Sequence, residues 1–152
     1  MKPLETTVEE VLRKAIESEI ESRVYYQKLA ERAASPAVRA RMLQLADFEL
    51  VHRAKMERRY REEIGHPPPP PAPATVELPS DLVNLDMSHA LKHALERERD
   101  SESYFRFMAE RAPDTILGAL FMELAEIEWK HKTDLQAEYD AAAPPDSFLN
   151  DL

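Results

Sequence analysis

AIESEIESRVYYQKLAERA (residues 15–33) lies over ALERERDSESYFRFMAERA (residues 94–112) without a gap when the chain is moved against itself by 79 residues. The same shift lays LADFELVHRAKM (45–56) over LAEIEWKHKTDL (124–135), and about 15 of the 54 positions from 7 to 60 repeat identically. Self-similarity at a fixed offset is the signature of a duplicated structural unit. Here the unit is a helical hairpin. Apolar residues recur three, four and seven positions apart within each block, and strand formers and glycines are sparse. Helices are expected over roughly 8–34, 37–64, 87–112 and 115–142. Thr7 with Glu10 fits a capping box, Ser35 followed by Pro36 supplies a cap and a first-turn proline, and Asp86 and Asp114 can cap the last two helices.

Between the two hairpins runs GHPPPPPAPATVELPSD (65–81), which cannot be helical. Each hairpin exposes an apolar stripe, and two of them packed face to face make an all-α four-helix bundle. The organisation expected is one domain, with hairpin 1 at 7–64, a linker at 65–85, hairpin 2 at 86–142 and a tail at 143–152. For the second hairpin to repeat the first about a pseudo-twofold axis, the linker must return along the bundle. A helix of ~27 residues is ~40 Å long, and ~20 residues of extended proline-rich chain reach ~60 Å, so the linker is long enough.

The repeated charged positions fall on the apolar faces. Around Glu19, the positions one to three turns away include Leu12, Ala15, Ile16, Tyr26 and Ala30; around Glu49 they include Met42, Leu45, Ala46, His52 and Met56. Glu98 and Glu128 repeat the arrangement, with His131 in the place of His52. Four carboxylates and two imidazoles are thereby directed into one core. Burying unpaired carboxylates costs several kcal/mol each, or forces them to take up protons. Two divalent cations cancel four negative charges. Glu-x-x-His places both donors on one helix face, and mixed carboxylate and imidazole ligands suit iron or manganese, with zinc and cobalt also compatible.

This pattern resembles the ferritin-like diiron-carboxylate proteins, and within them the rubrerythrin family: Glu on the first helix, Glu-x-x-His on the second, and both repeated on the third and fourth. The resemblance implies a ferritin-like antiparallel bundle with a long proline-rich crossover and two iron ions, with manganese or another divalent metal as alternatives. Glu19 and Glu98 would be terminal ligands, Glu49 and Glu128 would bridge, and His52 and His131 would serve one metal each. It also implies redox chemistry on hydrogen peroxide or dioxygen, with ferroxidase activity on Fe(II) as the alternative and a metal-stabilised, non-catalytic bundle as a further one. The rubredoxin domain that rubrerythrins proper carry requires four cysteines, and this chain has none; reduction is expected from an external electron-donor protein. The tail APPDSFLNDL does not match the fifth helix that closes ferritin cages, which argues against a shell, and the resemblance to the family implies a homodimer.

Bulk properties remove other classes. A net charge of −9 opposes nucleic-acid phosphate. The absence of cysteine excludes disulfides, thiolate nucleophiles and iron–sulfur centres. The N-terminus lacks the apolar core of a secretory signal and no stretch approaches ~20 apolar residues, so a cytoplasmic protein without membrane contact is expected.

Other candidates read more plainly. Glu63 and His66 share the Glu-x-x-His spacing, but Gly65 and the prolines break the helix there. His89 and His93 fall off the Glu98 stripe and read as surface residues. Tyr25, Tyr26, Tyr104 and Phe105 read as core, with Tyr26 best placed to offer a hydroxyl to a ligand. Arg23 and Glu102, one turn beyond Glu19 and Glu98, suggest an ion pair across the bundle or Glu102 as an extra ligand. Trp129 is expected in packing or in a contact between copies.

Overall fold

The computed structural model describes residues 6–112 and 114–142; the expected tail at 143–152 lies outside them. Helices α1 (Val8–Glu31), α2 (Pro36–Ile64), α3 (Met87–Arg111) and α4 (Thr115–Ala142) form a ferritin-like four-helix bundle, with no strand among the described residues. The caps are those the sequence indicates. Thr7 Oγ1 accepts from the Glu10 amide at 3.2 Å, Ser35 Oγ from Val38, Asp86 Oδ1 from His89 at 2.8 Å, and Asp114 Oδ1 from Leu117 at 2.7 Å. Each satisfies an amide that the first helical turn leaves without a partner. The reciprocal half of the capping box is replaced, because the Glu10 carboxylate accepts from the Thr6 hydroxyl instead. At the far end of α2, Gly65 takes the left-handed conformation (φ 92°) and returns its amide to the Arg61 carbonyl, which stops the helix before the prolines.

Close packing joins α1 to α2 and α3 to α4. The linker runs back along the bundle as the duplication requires. It leaves Gly65 at the end where Tyr60 of α2 bonds Glu9 of α1 (2.6 Å), and it reaches the turn between α1 and α2 at the other end. There the Leu85 amide donates to the Arg32 carbonyl and the Ala34 amide to the Leu85 carbonyl, at 2.9 and 2.8 Å, while the Arg32 guanidinium donates to the Pro79 and Leu82 carbonyls. This docking explains why α1 ends at Glu31, some three residues before the position expected from periodicity: residues 32–34 are drawn into a short parallel bridge with the linker.

The core has two apolar clusters. One holds Tyr26, Leu29, Met42, Leu85, Leu91 and Leu135 with their neighbours, the other Leu12, Ile16, Tyr60, Phe105, Phe121 and Leu124 with theirs. On every helix the two clusters are separated by the same kind of position: Glu19 on α1, Glu49 and His52 on α2, Glu98 on α3, Glu128 and His131 on α4. A polar layer therefore crosses the bundle between two apolar ones.

Candidate metal centre

The four carboxylates of this layer are each 7% exposed or less. They form two trios, each from one hairpin. His52 Nδ1 lies 3.7 Å from Glu19 Oε2 and 3.5 Å from Glu49 Oε2; His131 Nδ1 lies 3.6 Å from Glu98 Oε2 and 3.7 Å from Glu128 Oε2. Within each trio one ligand atom per residue falls inside a 4.8 Å sphere of mutual separation, which is the geometry of a group able to hold one ion. The trios adjoin: the rings of His52 and His131 stack with centroids 4.2 Å apart and planes 16° from parallel. All six residues predicted as ligands are thus brought together.

The electrostatics show what the site requires. Burial, then the shared hydrogen bond with Glu19, pushes the Glu49 carboxyl up to about 12. Burial and the hydrogen bond with Glu98 push Glu128 up to about 9. Burial alone would raise Glu98 also, but hydrogen bonds from Glu128, His131 and Tyr26 outweigh it and hold that carboxyl at about 2. Burial works against a charged His131, yet its bonds to Glu128 and Glu98 carry it up to about 10. Protons thus do the neutralising wherever no cation does, and the buried His52 Nδ1 still has no hydrogen-bond partner among the described residues. An imidazole nitrogen left open beside two carboxylates is a donor set for a divalent ion. Two such ions would balance the four carboxylates with no proton retained, so the residues present fit a dinuclear centre.

Tyr26 holds the position expected of it. It is fully buried and its hydroxyl donates to Glu98 Oε1 at 2.8 Å, from one hairpin to the other. Burial and the nearby carboxylates raise its pKa well above the ordinary phenol value, so it remains a donor. Its repeat equivalent is Phe105, which offers no such bond; the two halves of the site differ here.

The proposed pair between Arg23 and Glu102 is not formed. Glu102 is buried and bonds Lys132 at 2.5 Å and Arg106 at 2.7 Å, while Arg23 Nε is buried with no partner among the described residues. The cause lies in the packing: each hairpin's helices touch closely and α1 meets α3 only sparsely, so Glu102 meets Lys132 of its own hairpin rather than Arg23 of the other. Glu102 accordingly stands outside both trios. Burial would raise its carboxyl, but its two cations bring it below the ordinary range. Sequence reasoning missed Lys132 and Arg106; their i+30 and i+4 spacing from Glu102 was the available signal.

The remaining candidates stand outside the centre. His89 is exposed and bonds Asp86, and His93 lies 3.9 Å from Glu96. Glu63 lies near Arg59, and His66 contacts the Pro67 carbonyl. The Tyr25 hydroxyl donates to the His93 carbonyl and its ring meets Tyr26 edge-on; Tyr104 and Phe105 meet in the same way. Trp129 is 49% exposed and takes no part in the core. No helix among the described residues is long and apolar enough to cross a membrane.

The model of the Rubrerythrin family matches residues 10–139, a span that contains all six residues. Among solved structures, a hypothetical protein from Pyrococcus furiosus is 25% identical, with a TM-score of 0.56 over 92% of this chain and 95% of that one. An uncharacterized conserved protein from Magnetospirillum magnetotacticum MS-1 is 20% identical, with a TM-score of 0.64 over 92% and 98%, a likeness of fold. No functionally curated protein matches the chain.

Proposed function

The chain belongs to the rubrerythrin family, and from that premise we propose that it is a dinuclear-metal oxidoreductase that reduces hydrogen peroxide or dioxygen with electrons from a separate donor protein. The observation that carries this reading is the buried polar layer: two Glu, Glu, His trios side by side, with more negative charge than protons can neutralise without large pKa shifts. Glu19, Glu49 and His52 would hold one ion, Glu98, Glu128 and His131 the other.

When bound, two iron ions would supply the two electrons that, with two protons, convert hydrogen peroxide to two waters. The protein's part is positional. The two apolar clusters fix the four helices on either side of the layer, so the ligands are held by packing rather than by loops. Tyr26 fixes one oxygen of Glu98 and leaves the other towards His131. Two cavities of about 230 and 210 Å³ meet the proposed ligands and leave room for a small oxidant.

Rapid mixing tests the proposal. Protein loaded anaerobically with two Fe(II) per chain is mixed with peroxide or with aerated buffer. Faster oxidation by peroxide with the iron retained supports peroxide reduction. Ferric iron that leaves or accumulates beyond two per chain shows instead that Fe(II) is the substrate, and inertness to both oxidants leaves the metal a structural role.

A further inference from the structure

The two cavities beside the ligands are copies of one another under the internal repeat, and they have diverged in charge. One is lined by Leu45, Phe48, Glu49 and His52, which the 79-residue shift carries onto Leu124, Ile127, Glu128 and His131 in the other. Likewise Lys55 and Met56 of the second correspond to Asp134 and Leu135 of the first. The ligand ends match. The mouths do not.

At the first mouth Asp134 is exposed and has no cationic partner among the described residues, and the guanidinium of Arg41 is taken by Glu138 at 2.9 Å. At the second mouth stand Lys55 and Lys130, both exposed and neither paired with a carboxylate among the described residues. Lys130 occupies the position of Val51 in the repeat, so the basic mouth has gained one charge by that exchange and differs by two more at Lys55 against Asp134. Unpaired charges at the rim of a low-dielectric cleft focus the field along it and raise the local concentration of ions of opposite sign.

We propose that the two cavities divide the traffic to the centre: divalent cations pass the Asp134 mouth, and small anionic ligands, carboxylate or inorganic, pass and are held at the Lys55 and Lys130 mouth. This rests on the reading of the six residues as a metal site. It follows from charge complementarity and from a comparison internal to the molecule, since each cavity is the other's control. One opening with Asp134 and Lys55 together would serve neither ion well; separation lets a cation reach the carboxylates without crossing two ammonium groups.

The test uses Co(II), whose visible bands report binding without turnover, and azide as the anionic probe, at low ionic strength where exposed charges are least screened. In water-like dielectric a unit charge ~7 Å from a monovalent ion changes its local concentration by roughly threefold, so reversing one charge gives ~tenfold, and more for a divalent ion. D134K is expected to slow cobalt uptake by the metal-free protein ~tenfold or more and to leave azide affinity of the cobalt-loaded protein unchanged. K55D with K130V is expected to weaken azide binding ~tenfold or more without slowing cobalt. The neutral variants D134N and K55M should give about a third of the logarithmic effect or more, in the same directions. Rates and affinities that ignore the exchanges, or that move together by the same factor in both variants, overturn the proposal while two bound cobalt ions per chain keep the metal reading. Failure of the wild-type chain to bind two cobalt ions overturns both.

Discussion

Removing metal should make the protein lose stability as pH rises, the reverse of what acid-sensitive proteins do. Glu49 and Glu128 carry folded-state pKa values of about 12 and about 9, against about 4.5 unfolded. Each keeps a proton in the folded chain that the unfolded chain releases above about pH 4.5. A raised pKa contributes stability that is complete below the unfolded value and is lost as pH climbs towards the folded one. His131, raised from 6.5 to about 10, acts in the same direction above neutrality. Glu98, depressed to about 2, loses its contribution only below about pH 4.5 and so does not oppose the trend. One proton retained only in the folded state is worth about 1.4 kcal/mol per pH unit. From pH 5.5 to 7.5 a single such proton removes about 3 kcal/mol. For a chain of this size that is a fall in Tm of roughly 6–12 °C, and two retained protons would double it.

Circular-dichroism melts of chelator-treated protein at pH 5.5, 6.5 and 7.5, repeated with excess Co(II), measure this directly. With metal the slope should reverse, because binding needs ionised carboxylates and strengthens with pH. Glu49→Gln supplies the control: it keeps the shape of the side chain, removes one titrating proton, flattens the slope of the metal-free protein and lowers the bound metal below two per chain. A Tm of the metal-free chain that stays level or climbs from pH 5.5 to 7.5 would refute the reasoning, since the carboxyls would then be ionised without cations.

Tyr26→Phe should cost the metal-free protein about 1–2 kcal/mol in urea unfolding, the worth of a buried hydrogen bond to a carboxylate, while two metals still bind. Glu102→Ala should cost about 1–2 kcal/mol, less than a fully buried pair because Lys132 and Arg106 reach solvent; equal midpoints for variant and parent would show the cluster to be idle. Leu85→Ala should remove about 2–4 kcal/mol by opening a hole where the linker docks, with metal stoichiometry unchanged. A loss below 1 kcal/mol there would mean that the linker is held by its hydrogen bonds to Arg32 and Ala34 alone.

Much of this was legible in the chain because duplication writes the site twice. Glu49 followed by His52 is weak by itself, as Glu63 and His66 demonstrate with the same spacing outside either trio. The shift of 79 residues turns one weak pattern into six coincident positions, and burial of acids at repeated core positions has few physical explanations besides a cation. Caps and loop lengths were legible for a similar reason: Ser35, Pro36, Asp86 and Asp114 act through their immediate neighbours. Contacts between helices were not. Periodicity tells which face of α1 carries Arg23 but not which helix that face meets, and α1 meets α2 far more closely than α3. The early end of α1 escaped likewise, because its cause, Leu85, is more than 50 residues away in the chain.

What duplication conserves and what it releases are therefore separate sources of information. As proposed ligands the six must stay paired, since the loss of one carboxylate or imidazole would leave its partners buried without the ion they are proposed to hold, and the repeat keeps all six. Positions outside the trios carry no such coupling and can diverge one hairpin at a time. They have done so where the divergence has chemical content: a hydroxyl on Glu98 where Phe105 offers none, a cation pair around Glu102 where Arg23 Nε has no partner among the described residues, ammonium groups at one mouth and a carboxylate at the other. A pair of equivalent half-sites binds two ions alike; a pair made unequal can present different faces to a metal and to a small anion. The asymmetry, more than the six proposed ligands, is where the specificity of this chain within its family should be sought, and swapping Tyr26 with Phe105 between the hairpins is the substitution that addresses it. The double variant Y26F with F105Y should move the hydroxyl contact from Glu98 to Glu19 and leave two metals bound; loss of either metal would show that the halves are no longer interchangeable.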